Sequence, residues 1–234
     1  MTVDIVVLTI VDAELRVLLV RRKEHPFKGR WALPGGFVRV GDGARDPGED
    51  LDDAAVRELH EETGLDATSV ATGVFLEQLY TFGAKDRDPR MRVISVAYYA
   101  LVRPDLVPLV RGGGDAAEPT WHSVKFLAKA KERLAFDHEH IVTSALERIA
   151  GKIEYSSLAF SLVPDTFTIP ELRSVFEIVT SKPQDPGNFR RRFTRLLEDG
   201  LIEQAPGKRI TTSKPATVYR FVRKAAARPS RAGR

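Results

Sequence analysis

The segment Arg57, Glu58, Leu59, His60, Glu61, Glu62, Thr63, Gly64, Leu65 spaces three carboxylates at i, i+3 and i+4. On a helix that spacing gathers them within about 100° of one face. Val56, Leu59 and Thr63 fall on the other side, which fixes that side against a sheet, and Gly64 stands where a left-handed C-cap ends a helix. A helix is expected over residues 51–63, with its acids pointing outward together. Unneutralised, they repel one another. Oxygen donors grouped in this way suit a hard cation, magnesium or manganese, and a site holding one suits phosphate substrates.

The rest of the composition narrows the choice. The chain of 234 residues has no cysteine, which excludes disulfide scaffolds, zinc ribbons and thiol nucleophiles. The first apolar run, residues 5–11, is flanked by Asp4 and Asp12 and is too short for a signal peptide or a membrane span, so a cytoplasmic protein is expected. The net charge of +4 hides a division. Residues 1–150 hold 20 Lys and Arg against 24 acids, a net of −4, and residues 151–234 hold 16 against 8, a net of +8. The length favours two domains, and an acidic half suited to cations followed by a basic half suited to phosphates fits that division. The boundary is expected near Gly151, giving domains over residues 1–150 and 151–223 and a basic flexible tail over 224–234.

Within the first domain, residues 4–10 and 15–21 are rich in Val, Ile and Leu around a turn at Asp12, Ala13 and Glu14, a β-hairpin pattern. Strands are also expected over 73–80 and 92–102, the latter alternating through Val93, Ser95, Ala97 and Tyr99 as a half-buried strand does. A second helix is expected over 139–149. The glycine run at 111–115 and the basic tail read as mobile, low-complexity segments.

In the basic half, Leu172, Val175, Phe176 and Val179 are spaced for a helix that starts at Thr168 or Ile169, with Pro170 in its first turn. Asp185, Pro186 and Gly187 read as a turn before a second helix from about Asn188 to Glu198. Its apolar side is Phe189, Phe193, Leu196 and Leu197, and Asn188, Arg191, Arg192 and Arg195 recur on the opposite side. Arginine grips phosphates or reads guanine edges and asparagine pairs with adenine, so this is a candidate DNA recognition helix, with Arg190 beside it. A hairpin pattern follows, and Lys208, Arg209 and Lys214 at its tip are candidates for backbone phosphate contacts. Two helices and a hairpin make a winged helix-turn-helix.

The stretch from Gly43 through Glu49 to Leu65 reads G-x5-E-x7-R-E-U-x-E-E-x-G-U, where U is a bulky aliphatic residue. It resembles the Nudix box, and Trp31, Ala32, Leu33, Pro34, Gly35, Gly36 and Phe37 resemble the strand and loop that lead into it. In most Nudix proteins the glycine pair after the proline itself opens the box. Here Gly36 precedes Arg57 by 21 residues, so residues 40–48 read as an enlarged loop and Gly43 supplies the formal match. The resemblance implies an α+β chain whose N-terminal domain is an α/β/α sandwich on a mixed sheet. It implies Glu58, Glu61 and Glu62 as metal ligands and catalytic residues, with Arg57 pairing to a glutamate and Glu49 assisting from the loop.

Residues 76–83 with Asp88, Pro89 and Arg90, the run Asn188, Phe189, Arg190, Arg191, and the closing residues 215–221 extend the likeness. Together with the box, they resemble the Nudix-related transcriptional regulators of NAD metabolism, the NrtR family. That resemblance implies a homodimeric repressor of NAD synthesis or salvage genes on double-stranded operator DNA, with ADP-ribose or a related nucleotide as effector. Arg39, Glu77 and Arg92 are the candidates for the nucleotide pocket. The alternative is a magnesium-dependent ADP-ribose pyrophosphatase whose basic domain serves dimerisation or nonspecific binding.

Overall fold

A computed structural model describes residues 1–43, 46–67, 73–110, 119–127, 134–210 and 214–222. The glycine run at 111–115 and the basic tail lie outside the described residues. The first domain is a mixed sheet of seven strands: β1 (Thr2–Val11), β2 (Glu14–Arg21), β3 (Trp31–Ala32), β4 (Gly35–Phe37), β5 (Val74–Phe82), β6 (Ser95–Val102) and β7 (Thr120–Ser123). The expected hairpin is β1 with β2, paired antiparallel from Leu8 with Val17 to Val11 with Glu14. On its other side β1 runs parallel to β6, and β5 closes that edge antiparallel to β6.

Helix α1 (Leu51–Thr63) lies on one face of the sheet. The short helix α2 (Val124–Leu127) follows β7, and α3 (His138–Lys152) covers the opposite face. Because both faces are covered, successive residues of β1 feed two cores. Val3, Ile5 and Val7 pack with Ala54, Ala55 and Leu59 of α1, whereas Val6, Leu8 and Ile10 pack with Ile141, Val142 and Ala145 of α3. The same coverage makes β6 buried at every position, not half-buried as its alternation suggested. Arg92, Val93 and Ile94 lead into it and are not part of the strand.

The second domain comprises α4 (Ile169–Thr180), α5 (Pro186–Glu198) and the antiparallel pair β8 (Ile202–Arg209) and β9 (Ala216–Phe221). Thr168 caps α4, accepting from the Glu171 amide while Glu171 Oε2 accepts from the Thr168 amide at 2.7 Å, a capping box. Helix α5 starts two residues earlier than its apolar pattern suggests. Asp185 is the N-cap, accepting from the Asn188 amide at 2.8 Å, and Pro186 occupies the first turn, where its missing N–H costs nothing. Gly207, at φ +90°, lies inside β8 where the register shifts between Gln204 and Lys208, so Pro206 and Gly207 form a bulge and the hairpin turn lies beyond Arg209.

Gly151 is not a linker. It lies inside α3, and residues 153–168 continue the same apolar packing, with a 3-10 turn at Leu158–Ser161. Ile149, Ile153, Leu158, Leu162, Phe167 and Leu172 belong to one cluster with Phe189 and Phe193 of α5. The expected boundary therefore falls within a shared core.

Leu59 is fully buried between α1 and the sheet. Replacing it with alanine is expected to destabilise the chain by about 2–5 kcal/mol through lost transfer energy and a residual cavity. Urea unfolding checks this; a loss under about 1 kcal/mol would mean that α1 is not anchored there.

Candidate functional site

Helix α1 reaches its functional geometry through its two ends. At the start, Asp52 accepts from the Tyr98 hydroxyl on β6 at 2.6 Å. At the finish, the Gly64 amide donates to the His60 carbonyl at 2.8 Å with Gly64 at φ +70°, as the sequence indicated. Between them the acids do not all face solvent. Glu58 is buried at 7% exposure, Glu62 is largely covered, and Glu61 alone is open. The reason is the glycine loop above them. A Cβ on Gly36 would stand 2.3 Å from Glu58 Oε1, so a larger residue there would push this carboxylate out of its place under β4. Gly43, by contrast, sits at φ +76° with open space around it. The glycine that serves the carboxylates is thus Gly36, and the formal motif match at Gly43 is a turn residue.

Arg57 holds the group together. Its Nε and Nη2 grip both oxygens of Glu49 at 2.9 and 2.6 Å, and its Nη1 donates to Glu58 at 2.7 Å and to Glu61 at 3.0 Å. Arg39 adds a bond to Glu61 at 3.0 Å, and its amide donates to Glu49 at 2.8 Å. The Arg57 fork holds the Glu49 carboxyl down at about 2. Burial pushes Glu58 up, and burial with the neighbouring Glu58 charge pushes Glu62 up to about 8. One Glu62 oxygen, Oε2, is buried with no hydrogen-bond partner among the described residues.

That orphaned oxygen beside Glu58 fits a hard cation, and Nudix domains as a class work with divalent metal ions. Among the described residues, however, no three acidic or histidine side chains are gathered closely enough to hold an ion as they stand. Arg57 occupies Glu58, and Arg57 with Arg39 occupies Glu61, so these carboxylates have to exchange guanidinium partners for an ion.

On the far side of Gly35 and Gly36 opens a cleft of about 220 Å³. Asp4, Arg22, Arg87, Arg90, Phe136 and His138 are among its lining residues. Asp4 is its buried centre, accepting from Ser95 Oγ at 2.5 Å and from Arg87 at 3.1 Å. Arg87 also makes two bonds to Asp137, at 3.0 and 2.8 Å. His138 accepts from the Leu33 amide at Nδ1 at 2.9 Å, which leaves Nε2, 3.5 Å from Asp4, to carry the proton of a neutral ring. Burial lowers its pKa in keeping with that state. Arg22 and Arg90 approach the Phe136 ring at 4.7 and 5.9 Å.

Of the three residues expected for the nucleotide pocket, Arg39 lies over the carboxylates and the other two are elsewhere. Glu77 is on the α3 side of the sheet, bonded through both oxygens to Lys152 at 2.7 Å. Arg92 is exposed in the approach to β6. The sequence reading missed Asp4, Arg22, Arg87, Phe136 and His138. They come from four separate segments, and only Asp88, Pro89 and Arg90 gave a local signal.

The second candidate surface is α5 with the wing. Phe189 and Phe193 are buried, and Asn188, Arg190, Arg191 and Arg195 are exposed, with Arg191 donating to Asn188. Lys208 is exposed on β8, and Lys214 is exposed before β9. Two expected DNA residues are half-buried and bonded within the chain. Arg209 donates to Glu171 at 2.7 Å and to the Thr166 carbonyl at 2.7 Å, tying the wing to α4. Arg192 donates to the carboxylate and the carbonyl of Glu154, each at 2.5 Å, and lies 4.2 Å over the Phe176 ring. Both acidic partners are 38 residues away in sequence, beyond the reach of any local pattern.

A sheet sandwiched between α1 and α3, with a carboxylate face under a glycine loop, is a Nudix domain, and a winged helix is fused to it. Residues 1–144 match the family model for the NUDIX domain, and residues 159–221 match that for the NrtR DNA-binding winged helix domain. The chain belongs to the NrtR family of Nudix-related regulators. It is 33% identical over 223 residues to the ADPR responsive transcriptional repressor NtrR of Acinetobacter baylyi, covering 94% of this chain and 81% of that one. It is 38% identical over 133 residues to the ADP-ribose pyrophosphatase of Methanocaldococcus jannaschii, covering 57% of this chain and 67% of that one. The crystal structure of Shewanella oneidensis NrtR complexed with a 27mer DNA superposes with a TM-score of 0.78 at 33% identity, covering 95% of this chain and 93% of that chain. Among the described residues, no helix is long and apolar enough to cross a membrane.

The Glu62 shift gives a signed pH prediction for the metal-free protein. Unfolded, this carboxyl ionises near 4.5, and in the fold near 8. Between those values the native state keeps a proton that the unfolded chain releases, so this group's contribution to stability falls as pH rises. In EDTA, Glu62→Gln is therefore expected to gain stability over the parent chain between about pH 5 and pH 8. Equal urea midpoint differences at both pH values would contradict the burial assigned to Glu62.

Proposed function

We propose that the chain is a transcriptional repressor that binds operator DNA through α5 and the wing and is controlled by ADP-ribose in its Nudix domain. The observation that carries this reading is the face of α5, where Asn188, Arg190, Arg191 and Arg195 stay exposed while Phe189 and Phe193 fix the helix to its domain. Such a helix suits the major groove, with Lys208 on neighbouring phosphates. The likeness to an ADPR responsive repressor, over 94% of the chain, supports the effector. In the cleft, Arg22, Arg87 and Arg90 supply the cations that a diphosphate needs, and Phe136 supplies an aromatic face.

A homodimer fits this role, because two recognition helices about 34 Å apart match successive major grooves of a palindromic operator. The target genes would be those of NAD synthesis or salvage, in the cytoplasm. Ligand releases or tightens DNA only by binding one arrangement of the dimer more strongly than the other.

Hydrolysis of the effector is a second reading, favoured by the orphaned Glu62 oxygen and the intact Glu58, Glu61 and Glu62 set. Magnesium or manganese bound there would neutralise diphosphate oxygens and acidify a water. The chain's own part would be to hold the ion on Glu58, Glu61 and Glu62 while Arg57 and Glu49 keep α1 and the glycine loop in register.

Two variants test these readings. Arg191→Ala with Arg195→Ala is expected to weaken operator binding at least tenfold at fixed salt and to flatten its salt dependence, with ADP-ribose binding unchanged. Unchanged DNA affinity would remove α5 as the recognition helix. Glu61→Gln with Glu62→Gln is expected to abolish metal-dependent release of AMP from ADP-ribose, and persisting release would overturn the carboxylate assignment.

A further inference from the structure

We infer that Arg192 is a positioning residue, and that its clamp on Glu154 and Phe176 couples the nucleotide cleft to the recognition helix through α3. The inference rests on the repressor reading above and names how its two sites communicate.

Arg192 sits on the helix expected to read DNA but has little freedom to do so. Each of its two terminal nitrogens donates one bond to Glu154, and its guanidinium lies over the Phe176 ring of α4. Arg190, Arg191 and Arg195 on the same helix are exposed. To reach a phosphate, Arg192 would have to give up two charge-assisted bonds and a cation–π contact. Glu154 in turn lies two residues past the last residue of α3. That end of α3 is tied to the sheet as well, by Lys152 on Glu77 and by Arg148 donating to the Leu79 carbonyl at 3.1 Å.

The other end of α3 is the wall of the cleft. Phe136 and His138 line it, and the N-cap Asp137 holds Arg87, which also lines it. Arg87 is shared between Asp137 and Asp4, so a diphosphate entering the cleft competes with Asp137 for the guanidinium that fixes the start of α3. The helix has 15 residues, about 22 Å at 1.5 Å per residue, and its apolar stripe is packed along its length. A packed helix of this kind shifts as a unit. Displacement at Asp137 is therefore delivered at Glu154, and through Arg192 to α5.

The test uses the full chain and labelled operator DNA, with affinity measured by anisotropy at fixed salt with and without saturating ADP-ribose. The parent chain is expected to show a coupling factor in the range of about 5 to 150. Glu154→Arg leaves every basic residue of α5 in place and sets a like charge against Arg192, driving it away from the side chain and the carbonyl of residue 154. It is expected to bring the factor to within about twofold of unity while calorimetry shows ADP-ribose binding unchanged. The exchange Glu154→Arg with Arg192→Glu restores a pair and is expected to recover coupling, which a general weakening of the domain interface would not do. A Glu154→Arg variant that keeps the parent factor, or that loses ADP-ribose binding, overturns the clamp. A parent chain that does not bind operator DNA overturns the repressor reading instead, so the two failures are distinct.

Discussion

The apolar stripe of α3, from Ile141 through Ala145 to Ile149, is buried against the sheet and belongs to one cluster with Ile153, Leu158, Leu162 and Phe167. Two domains that share a core this way move together at the join, because separating them would open voids between them. The winged helix is therefore carried by the Nudix domain and not tethered to it. The cleft at one end of α3 and helix α5 at the other are thereby parts of one packed unit.

Charge organises what the core supports. Glu49, Glu58, Glu61 and Glu62 would repel one another, and Arg57 with Arg39 takes up the first three. Among the described residues Glu62 has no such cation, and burial pushes its carboxyl up to about 8. The same device recurs at the cleft, where Arg87 joins Asp4 and Asp137. Both places hold guanidinium groups between carboxylates, an arrangement that an incoming cation or an incoming diphosphate can each rearrange by competing for one partner.

Much of this was legible in the sequence wherever the signal was local. The Gly64 cap, the β1 hairpin and the apolar face of α5 all appear as read, because spacing along one element determines them, whereas the acids of α1 do not all point outward, since the glycine loop covers Glu58. What failed was set by distant packing. Alternation in β6 suggested a strand with a wet face, but α1 and α3 cover both sides. Gly43 satisfied the spacing of the motif, yet Gly36 is the residue that abuts Glu58. Arg192 and Arg209 carried the right charge in the right place and were captured by Glu154 and Glu171, partners that no window of sequence contains. The cleft was hardest to see, because Asp4, Arg22, the segment Arg87 to Arg90 and the pair Phe136 and His138 lie far apart in the chain.

The central claim is that one chain reads DNA and a nucleotide and that each alters the binding of the other. The direct measurement is binding of the purified protein to labelled promoter DNA from its own NAD biosynthesis genes, at a stated salt concentration, titrated with ADP-ribose and magnesium. The expected result is specific binding, above a scrambled sequence of equal length, that ADP-ribose shifts several-fold. Binding no better than the scrambled control, or specific binding indifferent to ADP-ribose, would contradict it, and the first of these outcomes would leave the pyrophosphatase reading in its place.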